Sequence, residues 1–214
     1  FSGLVGAGRT EVVRAIIGAD PRTGGEVLLN GKPLNCRSPH DAIANGVVMV
    51  PEDRKLQGII PRMSVGKNIS IGSLDQITNR LGFVNTRREE QIGLDGKANF
   101  NIKTPDLEKP IVELSGGNQQ KAIVARWMST KPEVLILDEP TKGIDVGAKS
   151  EFYNMICEFA KEGLAVILIS SELPEVIGLS DRIIVMRGRR IVGEISAKDA
   201  TEEKLLSMAM MEET

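Results

Sequence analysis

Histidine, aromatic residues and cysteine are scarce in this sequence, and each shortage excludes a class of function. Histidine occurs once among 214 residues, as His40, which excludes a metal site built on two imidazoles. Aromatic residues make up 3% of the chain, too few for a base-stacking platform, so we expect an aliphatic core. Cys36 and Cys157 stand far apart without the CxxC spacing of a zinc knuckle, and this fits a reducing compartment.

Long apolar runs and an excess of one charge are also missing. The apolar runs, such as residues 165–169, are far shorter than the ~20 residues of a membrane-spanning helix. The 27 lysines and arginines against 29 acidic residues give a net charge of -2, which disfavours nucleic acid as a partner. The chain begins at Phe1 without a signal-peptide pattern, so we expect either a processed chain or a piece of a longer polypeptide.

Short apolar runs alternate with segments of helical period, which predicts an α/β fold with a mostly parallel sheet. The predicted strands are 47–50, 134–137, 165–169 and 183–186. The predicted helices are 9–17, 39–45, 149–162 and 201–211, and turns at Asn30-Gly31 and Gly188 predict hairpins. Residues 58–129 lack a strong strand signal, so we expect a helical lobe there, inserted into a core of residues 1–57 and 130–214.

A glycine-rich run opens the first predicted helix. Residues 3–10, GLVGAGRT, fit the phosphate-binding pattern GxxxxGK[ST] at every fixed position but one, because Arg9 stands where lysine is expected. Backbone N–H groups of such a loop bind phosphates, and the Thr10 hydroxyl can bind magnesium. A guanidinium is broad and planar, so it cannot fill a lysine pocket in the same way. An ordinary glycine-rich turn between strand and helix is the alternative.

Two acids follow the buried strand VLIL, where α/β sheets place their ligands. Asp138 can bind magnesium, and Glu139 can orient or deprotonate an attacking water. The alternative is a pair of acids before the Pro140 turn, and the glycine-rich run makes such a coincidence a poor explanation.

A second anion site is predicted in the run LSGGNQQK at residues 114–121. Ser115 can cap the helix that continues through Trp127, and the two glycines after it leave backbone N–H groups uncovered. One nucleotide has one set of phosphates, so two such sites indicate a dimer that holds nucleotide between opposing chains.

With these runs the whole chain resembles the nucleotide-binding domain of ATP-binding cassette (ABC) transporters, a P-loop NTPase fold with an inserted helical subdomain. The glycine run resembles its Walker A motif, residues 114–120 its signature, residues 137–141 its Walker B motif and residues 142–145 its D-loop. More narrowly, the chain resembles the second, C-terminal cassette of the fused two-cassette ATPases of bacterial ribose, xylose, arabinose and galactose importers. The motifs that carry this likeness are GLVGAGRTE, PEDRK, LSGGNQQK, DEPTKGIDVGAK and ISSELPEVIGLSDR. The resemblance implies that the strands before Walker A, with the aromatic residue that stacks on adenine, are missing here.

ATP and Mg²⁺ are the ligands that the resemblance implies. The implied catalytic residue is Glu139, and the implied magnesium residues are Thr10, Glu52 and Asp138. The residues implied in nucleotide binding are Gly3, Gly6, Ala7, Gly8, Arg9, Thr10, Glu11, Ser115, Gly116, Gly117, Gln119, Asp145 and Ser171.

Three positions depart from the family pattern. Arg9 replaces the Walker A lysine, Ser171 stands at the switch histidine, and Glu52 stands at the Q-loop glutamine. Loss of one preorganised stabilising group typically costs about 10² to 10³ in rate, so we expect this half-site to bind nucleotide and hydrolyse it slowly. The intact signature is expected to serve, in trans, the nucleotide of a partner cassette.

The partners that the resemblance implies are the first cassette of the same full-length chain or a second copy, and membrane permease subunits near residues 58–68. A periplasmic sugar-binding protein is an indirect partner, and the implied place is the cytoplasmic face of the bacterial inner membrane, as a peripheral domain that couples ATP binding and hydrolysis to monosaccharide uptake. A non-hydrolysing regulatory or dimerisation module is the first alternative. A soluble ABC ATPase of DNA repair or translation is the second, disfavoured by the net charge. The turn at residues 187–190, RGRR, is expected to be a solvated hairpin tip.

Overall fold

The computed structural model describes residues 1–210, so the predicted end of the last helix at Met211 lies outside the described residues. The strands are β1 (Leu28–Leu29), β2 (Lys32–Pro33), β3 (Val47–Val50), β4 (Val134–Asp138), β5 (Ala165–Ile169), β6 (Arg182–Arg187) and β7 (Arg190–Ser196). The α-helices are α1 (Arg9–Ile16), α2 (Pro39–Ala44), α3 (Val65–Ser70), α4 (Leu74–Ile77), α5 (Thr86–Asn99), α6 (Gly116–Met128), α7 (Val146–Lys161), α8 (Leu173–Leu179) and α9 (Glu202–Met210). A π-helical turn spans Arg54–Gly58, and 3₁₀ turns span Ile71–Ser73, Ile111–Glu113 and Ala197–Asp199.

The described chain divides into two compact units. The first comprises Phe1–Met49, Glu133–Pro140 and the described part of Ile156–Thr214, and the second comprises Val50–Pro132 and Thr141–Met155. The division expected above, with a helical lobe at residues 58–129, stays a prediction. No helix within residues 1–210 is long and apolar enough to cross a bilayer.

A three-stranded sheet of order β3-β4-β5 organises the first unit. Strands β4 and β5 are parallel, and their register runs from Val134 opposite Ala165 to Asp138 opposite Ile169. Apolar side chains of this sheet and of the segments packed on it form a core without aromatic rings among its buried members. Those members are Val13, Ile17, Leu34, Ala42, Val47, Ile136 and Ile169. Phe152 and Phe159 are buried elsewhere, so the expected aliphatic character holds for this core but not for every buried residue.

Both predicted hairpins are present. Asn30 and Gly31 join the antiparallel strands β1 and β2 with φ values of 50° and 75°, the pair of positive values that a type I′ turn requires. Gly188 and Arg189 join the antiparallel strands β6 and β7 in the same way. A second apolar core packs beneath this hairpin and is formed by Val176, Ile183, Val185, Leu205 and Ala209.

Helices dominate the second unit, and α6 supplies many of its buried residues. Ser115 caps α6 as predicted, since its Oγ accepts hydrogen bonds from the backbone N–H and side-chain amide of Asn118. Helix α7 begins at Val146 rather than at the predicted Lys149. The physical reason is that the Asp145 carboxylate accepts a hydrogen bond from Ala148 N at 2.9 Å and starts the helix earlier.

Candidate functional site

The glycine-rich run forms a tight loop before α1. Gly3, Gly6 and Gly8 have φ values of 152°, 82° and 97°, which residues with a side chain rarely adopt. A Cβ atom on Gly3 would overlap the carbonyl oxygen of Met186, whereas a Cβ on Gly6 would meet open space. The first N–H groups of α1 have no acceptor within the helix, so the loop and the helix dipole together favour an anion here.

The two acids after β4 differ in environment. Asp138 is fully buried at the end of the strand. Glu139 follows it with a left-handed φ of 45° and donates its backbone N–H to Ile169 O at 2.9 Å. A left-handed backbone costs a residue with a Cβ roughly 1 kcal/mol or more, and such outliers cluster at functional sites.

Arg9, Glu139 and Ser171 come together in the first unit. The Arg9 Nη2 atom lies 3.2 Å from Glu139 Oε1, and Arg9 Nη1 donates to the carbonyl oxygen of Ser170 at 2.7 Å. The Ser171 hydroxyl donates to Glu139 Oε2 at 3.0 Å. Both carboxylate oxygens of Glu139 therefore accept protein contacts, and the Arg9 guanidinium is committed to protein acceptors rather than directed to solvent.

The signature residues lie in the second unit. Gln119 is buried, and its amide donates to the carbonyl oxygens of Ile111 and Leu114 at 3.3 Å and 3.1 Å. Its Oε1 atom accepts from Arg54 Nε at 3.2 Å. The side chain of Gln119 is thus used inside the unit, where it holds the start of α6.

Arg54 is a residue that the motif PEDRK contains but to which the sequence assigned no role. A Cβ atom on Gly116 would lie 2.9 Å from Arg54 Nη2, and a Cβ on Gly117 would lie 2.8 Å from Ala148 Cβ. Burial lowers the pKa of Arg54, while the neighbouring Asp53 carboxylate raises it. The two signature glycines therefore have a packing role, and Gly117 is itself buried.

Two further predicted residues also lie in the second unit. The carboxylate of Glu52 is 2.7 Å from Lys142 Nζ, an ion pair between half-exposed side chains. Asp145 caps α7, as described above. Neither contact was predicted from the sequence.

Arg189 is exposed, as expected for a solvated hairpin tip, but its contact with the glycine loop was not predicted. Its backbone N–H donates to Ala7 O of the glycine loop at 2.9 Å. The signal that could have found it is the arginine after Gly188 in a turn where both residues need positive φ.

Comparisons with known proteins identify relatives across the whole chain. A family model described as ABC transporter matches residues 1–142. The arabinose import ATP-binding protein AraG of Mannheimia succiniciproducens is 54% identical over 211 residues, which cover 98% of this chain and 42% of that protein. The arabinose import ATP-binding protein AraG 1 of Burkholderia thailandensis is 52% identical over 211 residues, with the same coverage. The chain therefore spans about two fifths of the length of these curated relatives.

A solved structure has the same fold. The dimeric structure of MJ0796, described as a bacterial ABC transporter cassette, matches with a TM-score of 0.77 at 18% identity, over 92% of this chain and 83% of that chain. The predicted α/β fold of a P-loop ATP-binding cassette with a parallel sheet is confirmed.

Proposed function

Because this chain belongs to the ABC transporter family, we propose that it is the ATP-binding domain of a bacterial monosaccharide importer, in which ATP binding and hydrolysis drive uptake. The observation that carries the proposal is the glycine loop before α1 in the same compact unit as Asp138 and Glu139 at the end of β4. Two relatives that are more than half identical over 98% of the chain are named for arabinose import, which supports a sugar as the cargo.

ATP binds, in this proposal, with its phosphates on the glycine loop. The open space beside Gly6 and the first N–H groups of α1 fit phosphate oxygens. Thr10 and Asp138, which lie in the same compact unit, would hold Mg²⁺. When bound, the ion neutralises phosphate charge and stabilises the charge that develops as the phosphoryl group is transferred.

The half-site of this domain hydrolyses ATP slowly. A general base must accept a proton from water, but both oxygens of Glu139 already accept contacts from Arg9 and Ser171. Arg9 in turn is held by Glu139 and the Ser170 carbonyl, so it does not supply the lysine-like point charge of an active loop. Both arrangements support a site that binds nucleotide and turns it over poorly.

The signature of this domain serves the nucleotide of a partner cassette in trans. Ser115, Gly116 and Gly117 form the capped start of α6, a helix that is long enough to carry a dipole. The partner is the first cassette of the same full-length protein, with this chain as the second cassette, and the assembly lies on the cytoplasmic face of the inner membrane. Residues 58–68 face the permease subunits, which receive sugar from a periplasmic binding protein.

Two substitutions in the full-length two-cassette protein, assembled with its permease, test this division of labour. Ser115→Arg blocks the signature, and we expect ATPase rate and sugar uptake to fall by about 100-fold or more. Glu139→Gln keeps the size of the side chain and removes only the slow site, so the ATPase rate should change by less than about twofold, because the partner site carries the turnover. A large loss with Glu139→Gln and a small one with Ser115→Arg would overturn the proposal.

A regulatory module that binds nucleotide without hydrolysis is the second candidate, and the Arg9–Glu139 contact favours it. Equilibrium binding of ATP to this chain, measured beside single-turnover hydrolysis, separates the two. Tight binding of ATP by this chain with no product formed in a single turnover would favour regulation over slow catalysis.

A further inference from the structure

The tip of the β6–β7 hairpin lies against the glycine loop. Arg189 N donates to Ala7 O at 2.9 Å, and a Cβ atom on Gly8 would lie 3.0 Å from both Cα and Cγ of Arg189. Strand β6 is tied to the start of the loop as well, since Ser2 N donates to Ile184 O and Met186 N donates to Ser2 O. Because Gly8 has no side chain, the Cα, Cβ and Cγ atoms of Arg189 can pack against it.

The backbone of Arg189 has a conformation that usually belongs to glycine or asparagine. Its φ is 65°, and the preceding Gly188 has a φ of 53°. Type I′ turns favour Asn-Gly, in which glycine takes the second position without strain. An arginine here accepts that strain and places a charged side chain beside the loop.

The guanidinium groups of Arg9 and Arg189 differ in their contacts and in their exposure to solvent. The guanidinium of Arg9 contacts Glu139 and the Ser170 carbonyl, and it is buried. Arg189 is exposed. Within residues 1–210 its guanidinium forms no ion pair with a carboxylate and donates no hydrogen bond to an acceptor. Of these two arginines, only Arg189 has an uncommitted charge.

We infer that Arg189 is a further nucleotide-binding residue of this half-site, whose guanidinium contacts phosphate oxygens of a nucleotide held on the glycine loop. The inference rests on the proposed function, since nucleotide binding by the loop is itself proposed. A planar guanidinium can donate two parallel hydrogen bonds to a phosphate. It is also more weakly hydrated than an ammonium, so it loses less hydration free energy when it contacts the phosphate. Arg189 would thus replace, from the neighbouring hairpin, the phosphate contact that a Walker A lysine provides.

The test compares the binding of ADP, in the presence of Mg²⁺, to the 214-residue chain and to three variants by calorimetry. Arg189→Gln keeps the Cβ and Cγ atoms that pack on Gly8 and removes only the charged end. We expect its Kd for ADP to rise about threefold to tenfold, as for one exposed charge-assisted contact, and the salt dependence of binding to weaken. Arg189→Lys keeps the charge and should recover part of the affinity.

Arg190→Gln is the matched control, because it removes the same charge from the next residue, the first of β7. We expect its Kd to stay within about twofold of that of the unchanged chain, since the loss of a general surface charge is screened by salt. Thermal unfolding of each variant checks that the hairpin remains folded.

The outcomes separate the inference from the proposed function. If the unchanged chain binds neither ADP nor ATP, both are overturned. If it binds ADP and Arg189→Gln binds equally well, the role of Arg189 is overturned while the proposed function stands. Equal losses in Arg189→Gln and Arg190→Gln would also overturn it, because they indicate a general surface field rather than a contact.

Discussion

Arg9 Nη2 and Glu139 Oε1 lie 3.2 Å apart, and the two side chains are only 9% and 11% exposed. The contact links the first turn of α1 to the residue after β4. Because little water reaches it, each charge depends on the other for compensation, and removal of one partner leaves the other without its opposite charge. We therefore expect this pair to contribute to the stability of the first unit, and it occupies one carboxylate oxygen of Glu139.

Replacement of Arg9 by methionine should destabilise the chain by about 2 to 4 kcal/mol, because the Glu139 carboxylate stays mostly buried with Ser171 as its remaining contact. Glu139→Gln should cost less, since the Ser170 carbonyl still accepts from Arg9. The double variant should recover part of the loss, and urea unfolding of the four proteins yields the coupling energy. Additive single effects would show that the pair contributes nothing to stability.

The ion pair between Glu52 and Lys142 provides the contrast. Its atoms approach to 2.7 Å, closer than in the Arg9 pair, but the side chains are 41% and 65% exposed. Glu52→Gln should therefore change the free energy of unfolding by less than about 0.5 kcal/mol, because exposed pairs gain little over hydration. Urea unfolding under the same conditions as for Arg9→Met makes the comparison, and a loss as large as that of Arg9→Met would contradict the assignment of the buried pair as the dominant one.

Gly117 should not tolerate even one methyl group. Its missing Cβ would lie 2.8 Å from Ala148 Cβ, a distance that real side chains do not adopt, so Gly117→Ala should cost about 1 to 3 kcal/mol by overpacking. Ala148→Gly alone should cost about 1 kcal/mol through helix propensity. The double variant Gly117→Ala with Ala148→Gly removes the overlap, and thermal unfolding should show a smaller loss than the sum of the single changes. A strictly additive loss would exclude this contact as the reason for glycine at position 117.

Local signals in the sequence were sufficient for the secondary structure around the site. Strands β3 and β5 have the predicted bounds, the Asn30-Gly31 turn is a hairpin, and Ser115 caps α6. Each of these features depends on residues close together in the sequence. The strands follow from apolar runs, the hairpin from two residues that accept positive φ, and the helix start from a capping hydroxyl. The start of α7 differs from the prediction because the Asp145 cap lies before the apolar pattern on which the predicted bounds rest.

The partners of the site residues could not be predicted in the same way. A motif identifies Arg9 as a phosphate-loop residue, but its contact with Glu139 depends on how α1 and β4 pack. The role of Arg189 depends equally on the hairpin lying against Gly8. Spacing within a motif describes which groups are present, whereas tertiary packing decides which of them are already satisfied by protein atoms.

Arg126 of the second unit is a buried cation held by neutral acceptors. Its guanidinium donates to Gly58 O at 2.7 Å, to Asn68 O at 2.6 Å and to Asn68 Oδ1 at 3.0 Å. The Asn68 side chain in turn bonds both backbone groups of Ile60, so one arginine on α6 orders the segment that precedes α3. Arg126→Met removes the donor to the carbonyl oxygens of Gly58 and Asn68 and one of the two donors to Asn68 Oδ1, and should cost about 3 to 4 kcal/mol. Arg126→Lys, a single ammonium for three acceptors, should cost about 2 kcal/mol.

The pH dependence of this effect follows from burial, which lowers the pKa of Arg126 to about 10. The unfolded chain keeps this proton to a higher pH than the folded chain does. The penalty for burying the charge therefore eases, and the stability contribution of this group rises, only as the pH increases above about 10. Between pH 6 and 9 the guanidinium is charged in both states. The difference in unfolding free energy between the unchanged chain and Arg126→Met should therefore be constant over that range when measured by urea unfolding. A difference that changes with pH below 9 would show that a group other than Arg126 titrates with the segment it orders.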